Sequence, residues 1–145
     1  MRGVDLLQLK CLQSLQKSNF RRLFIGKFTN ISDGTGETGV IKIDVSTLSP
    51  NAAGNACNGV KLNKIFATTH GMEVRILWDA TTDVFAWMIP QNSNYLMDLS
   101  SFGGIPNNAG AGVTGDVLFT TADASAGDMY CVVLECIKTY ANPQG

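Results

Sequence analysis

Residues 72–99 constrain the fold of this chain most. They read MEVRILWD, then ATTD, then VFAWMIP, and after one more turn YLMDL. Side chains alternate along a strand, so Val74, Ile76 and Trp78 share one face while Glu73 and Arg75 share the other. Residues 84–89 are apolar on both faces, which predicts a strand in the middle of a packed sheet. The spacing predicts two strands folded back around a short polar turn, a third strand at 95–99, and the rest of the chain wrapped around this hairpin.

The same pattern recurs on both sides. Strands are expected at 23–29, 40–45, 60–68, 113–121 and 128–139, the last being the most apolar. Within 40–45, alternation puts Ile41, Ile43 and Val45 inward and Lys42 and Asp44 outward. Between the strands lie Gly-, Asn- and Asp-rich turns at 32–39, 46–59, 100–112 and 122–127. About eight short strands with no helix between them point to an all-β antiparallel sandwich of jelly-roll type. Missing crossover helices argue against a parallel sheet. With 145 residues the chain is one domain by length, large enough to bury a core without staples.

The front differs. Residues 1–22 are read as a basic arm or short helix and 23–145 as the sandwich domain. Leu6, Leu9, Leu12 and Leu15 recur at close to helical spacing, with Leu7 beside them and Gln, Lys and Ser between. Residues 1–27 hold six basic side chains against Asp5 alone, whereas the whole chain has net charge −1. One reading is a helix that lies on its own sandwich. The other is an arm that orders only against another protein subunit, and the charge asymmetry points to an interaction arm. A lipid surface is a weaker fit, since a short helix of this kind has few bulky apolar residues. The overall charge gives no pull towards nucleic acid or membrane. No run of about 18 apolar residues is present, and the leading leucines are too interrupted for a signal-peptide core.

Chemistry-bearing patterns each have a plainer explanation. Gly110, Gly112 and Gly115 match G-x-G-x-x-G, but that fingerprint needs a strand before it and a helix after it. Here the glycines are read as positive-φ turn residues leading into a strand. His70, the single histidine, is read as a turn residue rather than a metal ligand or catalytic base. Asp79 with Asp83, and Asp33 with Glu37, offer paired carboxylates for hydrolysis or calcium; turn capping is the commoner use. Asn30, Ile31 and Ser32 form a glycosylation sequon, set aside for want of a secretion signal. Trp78, Phe85, Trp87, Tyr95 and Phe102 suit either a sugar platform or a core, and alternating strand positions favour the core. Cys131 and Cys136, five apart on one strand, point to opposite faces and cannot bond to each other. All four cysteines are expected as reduced thiols.

Three stretches carry a family resemblance: RILWDATTDVFAW (75–87), NNAGAGVTGDVLFTT (107–121) and GDMYCVVLECIK (127–138). They resemble small structural proteins of tailed bacteriophages, especially short-tailed marine phages, over about residues 37–139. The resemblance implies a jelly-roll decoration or cement protein on the outer capsid surface of the virion, made in the host bacterial cytoplasm. It implies no enzyme activity and no cofactor, with the major capsid protein as partner, self-association as a homotrimer, and no nucleic acid or membrane contact. On this reading Leu6, Leu9, Leu12 and Leu15 supply apolar capsid contact, and Arg21 and Arg22 meet acidic capsid side chains. The alternatives are a carbohydrate-binding or receptor-contacting module of a head or tail fibre, and a hydrolase using Asp79 and Asp83.

Overall fold

The computed structural model describes residues 22–141. The arm residues Leu6, Leu9, Leu12, Leu15 and Arg21 lie outside the described residues, and so does the expectation of a helix there.

Eight strands follow one another: β1 (Leu23–Ile31), β2 (Val40–Ile43), β3 (Cys57–His70), β4 (Glu73–Trp78), β5 (Val84–Ile89), β6 (Asn94–Asp98), β7 (Val117–Ala122) and β8 (Met129–Tyr140). They form two four-stranded sheets, ordered β1-β8-β3-β6 and β2-β7-β4-β5. All pairings are antiparallel. β1 pairs with β8, β2 with β7, β3 with β6 and β4 with β5, the pattern of one long hairpin rolled up on itself. Contacts of β8 with β3 and of β7 with β4 then close the two sheets. This is the connectivity of a jelly roll.

The core lies between the sheets. Its largest fully buried apolar side chains include Trp78, Phe119, Ile43, Leu62, Ile65 and Ile76. Phe119 meets the rings of Phe28 and Tyr130 edge-on, with centroids 5.5 and 5.7 Å away. Turn chemistry holds the ends. Asn92 accepts the Gly71 backbone N–H at 2.9 Å, and Asp98 accepts Ser100 N at 2.9 Å just ahead of the 3-10 turn Ser100–Phe102.

Several expected details change. β5 is an edge strand and not a central one: its outer face is open to solvent, with Phe85 57% and Met88 49% exposed. β8, with apolar residues on both faces, holds the interior position instead. β7 begins at Val117 rather than 113, because Gly112 and Gly115 take φ of +79° and +92° and break an extended run. The register of β2 slips between Ile41 and Ile43, so Ile41 turns outward at 52% exposure while Ile43 stays inside. Val45 is buried as expected, but within a 3-10 turn that Asp44 caps. β3 starts at Cys57, and His70 ends this strand instead of sitting in the turn.

Candidate functional site

On the outer face of the β2-β7-β4-β5 sheet, four apolar side chains line up across all four strands. Ile41 on β2 pairs with Leu118 on β7, Leu118 with Leu77 on β4, and Leu77 with Phe85 on β5. Their neighbours Val117, Phe119, Ile76 and Trp78 point inward and are buried, so period-2 alternation sends this row outward. Ile41 and Phe85 stand open at its two ends, while Leu118 between its neighbours is buried. Met88 adds apolar surface beside Phe85 and pairs with Arg75, whose guanidinium is bonded to Glu73. The face is therefore a stiff apolar stripe with a charged border.

Asp83, Asp79 and Asp33 hold turns, as capping carboxylates do. Asp83 accepts Ala80 N at 3.1 Å, and Asp79 accepts the Thr114 hydroxyl at 2.7 Å. Asp33 accepts both the backbone N–H and the hydroxyl of Thr35. Glu37 does something else. It accepts the Tyr130 hydroxyl at 2.7 Å and the Lys42 ammonium at 2.7 Å, and Lys42 sits over the rings of Phe119 and Tyr130. Burial, and then the Glu37 carboxylate, hold the Tyr130 phenol protonated far above its ordinary range. This polar cluster seals the flank of the sandwich between β1 and β2.

Asp116 accepts the Val45 backbone N–H at 2.9 Å. Burial raises its pKa, the charges of Asp44 and Asp79 add to that, and the Val45 bond opposes. A carboxyl whose folded pKa is raised destabilises the fold when ionised. That cost is present at neutral pH and disappears as pH falls through the folded value towards 3.8. Asp116→Asn keeps an acceptor for Val45, so its melting temperature should exceed wild type at pH 7, with the gain shrinking towards pH 4. A pH-independent difference in thermal melts would refute this account.

The remaining candidates divide clearly. Trp78 is fully buried, which removes it from any sugar platform. Trp87 is half-buried and donates to the Tyr95 hydroxyl at 2.8 Å, whereas Phe85 and Phe102 are exposed. Cys136 lies in the core and Cys131 on the outer face, as their spacing requires. Lys138, inward and only 1% exposed, donates to the Ser49 hydroxyl at 2.9 Å, and burial lowers its pKa. Among the described residues no group of three His, Cys, Asp or Glu is placed to hold a metal. A loop and a strand, not a helix, follow Gly110, Gly112 and Gly115. Arg22, the one arm residue described, is exposed; its carbonyl accepts Lys138 N at 2.6 Å and its guanidinium lies 5.8 Å from the Tyr140 ring centre.

Sequence reasoning missed the outward row. Its trace was visible in the two-faced apolar character of 84–89, but only the pairing of distant strands brings Ile41, Leu118, Leu77 and Phe85 into line. Comparison with family models, with curated proteins and with solved structures finds no match for this chain.

Proposed function

We propose that this chain is an auxiliary capsid protein of the decoration type, which binds the outer surface of a phage head and bridges neighbouring capsid subunits. The resemblance of 75–87, 107–121 and 127–138 to phage structural proteins supports the reading. The observation that carries it is the apolar row from Ile41 to Phe85 on a rigid sheet. Such a row offers a flat, preformed contact at little ordering cost. A protein that binds an assembled lattice better than free subunits stabilises the shell by mass action. The task requires shape and contact, and the polar clusters described above serve to brace loops and seal an edge. On this reading the protein works on the virion surface, with the major capsid protein as partner and further copies of itself as neighbours.

The test is cosedimentation of purified protein with expanded, DNA-free heads of a short-tailed phage stripped of its decoration protein. Wild type should be retained at saturating stoichiometry, and Phe85→Asp should weaken retention by roughly tenfold, the effect of about 1.4 kcal/mol. No retention of wild type ends the decoration reading. Equal retention of Phe85→Asp and wild type moves the contact off this row. A carbohydrate-binding module is the rival, favoured by Phe102, which stands 78% exposed on a turn held by Asp98. Glycan binding that Phe102→Ala abolishes, together with failure on heads, would establish that rival.

A further inference from the structure

The other sheet also has an apolar outer face. Tyr130, Val132, Leu134 and Cys136 of β8 point into the core, and Cys131, Val133 and Ile137 point out. A strand apolar on both faces is the pattern of one covered on both sides. The facing sheet covers only the inner one. The register sets the outward side chains in rows across β1, β8, β3 and β6. One row reads Lys27, Val133, Phe66, Leu96, with Phe66 43% and Leu96 53% exposed. The row beside it reads Ile25, Glu135, Lys64, Asp98. Lys61 stands next to Ile137, so the face mixes Lys27, Lys61 and Lys64 with Glu135 and Asp98. A nearly balanced face of this kind gains little from a partner of one charge sign.

We propose that a second copy of this chain covers this face, related by a two-fold axis that runs along the strands between β8 and β3. Two observations select this occupant. The first is charge. Rotation about that axis lays β8 of each copy over β3 of the other, so every row meets itself reversed. Glu135 of each copy then faces Lys64 of the partner subunit, which makes two ion pairs. Val133 and Phe66 exchange in the same way, which sets an apolar centre beside those pairs. Ile25 meets Asp98 at the rim, where water still reaches the carboxylate. Asn63 donates to Glu135 at 2.7 Å and so holds that carboxylate in place before the copies meet. A shallow groove of about 300 Å³ beside Phe66, Leu96 and Val133 gives the facing side chains room to interlock. The second observation is area. Four strands are about 19 Å wide and the nine residues of β1 about 30 Å long, so two such faces hide about 1,100 Å² together. That stands at the lower edge of specific interfaces, so the dimer is reversible, with a dissociation constant in the micromolar range. A face that matches itself under two-fold rotation makes a dimer, in place of the trimer that the resemblance implies.

Sedimentation velocity of the full chain over a range of concentrations tests this. Wild type should show a monomer–dimer equilibrium. Lys64→Glu and Glu135→Lys each set like charges opposite one another in both pairs, so each variant alone should dimerise roughly tenfold more weakly or worse. Mixed together, the two variants restore both pairs, and a heterodimer should form with nearly wild-type affinity. Phe66→Asp should stay monomeric. If a charge variant fails to fold by circular dichroism, Phe66→Asp, at an exposed position, decides in its place. Wild type that stays monomeric overturns the proposal, as does a trimer or a dimer that none of the variants weakens. A mixture of folded charge variants that remains monomeric overturns it too. The measurement needs no phage head, so its failure is distinguishable from failure of the decoration reading.

Discussion

Trp78→Ala should lower the unfolding free energy by about 3–5 kcal/mol, read as a drop in the denaturant midpoint at unchanged slope. Trp78 is fully buried, pairs with Val84 on one side and Val117 on the other, and is the largest of the fully buried side chains. Alanine would leave a cavity between two sheets that are held apart by their own ladders, so collapse would be poor. The indole N–H meets no acceptor among the described residues. Trp78→Phe removes that donor along with some volume, and should fall well short of the alanine loss. Trp87→Ala should also cost less, because its ring is half-buried at the rim and bonded to Tyr95. A loss below about 1 kcal/mol for Trp78→Ala would contradict its placement in the core.

Gly115→Ala should cost about 2–4 kcal/mol. Gly115 has φ of +92°, where an L side chain is strained, and a Cβ there would overlap the Asn58 carbonyl oxygen. That oxygen belongs to the backbone of β3 and cannot swing aside as a side chain would. Relief would require the 99–116 loop to lift away from the start of β3. Gly39 provides the comparison. Its φ is +59° and nothing lies within 4 Å of an added Cβ, so Gly39→Ala should cost about 1 kcal/mol from backbone strain alone. Chemical denaturation of both variants separates crowding from strain, and equal losses would show that Asn58 yields.

Much of the sandwich was legible in local pattern. Val74, Ile76 and Trp78 face in while Glu73 and Arg75 face out, as alternation demands, and of the G-x-G-x-x-G string Gly112 and Gly115 take positive φ as read, whereas Gly110 does not. Strand number followed from turn chemistry, which is local too. Sheet order was not legible in this way. The apolar runs 84–89 and 129–140 look alike in sequence, yet one lies at an edge and the other inside. The difference arises from which distant strand reaches the second side. Phase errors had a second cause. A single bulge between Ile41 and Ile43 turned Ile41 outward, and nothing in the three residues themselves announces it. The apolar row on the outer face depends on both effects, which is why it emerged only with the pairing.

The position of β8 between β1 and β3 has a consequence during synthesis. β1 finds its partner only in β8, after the six strands between them have been made. Until then β1 and the long β3 expose hydrogen-bonding edges towards one another across a gap. Folding of the sandwich must therefore wait for β8 and be slow for a domain of this size, since its defining contacts are remote in sequence. A chain released early, before residue 129, would carry seven strands with nothing to join the first to the third, and should aggregate in the cell.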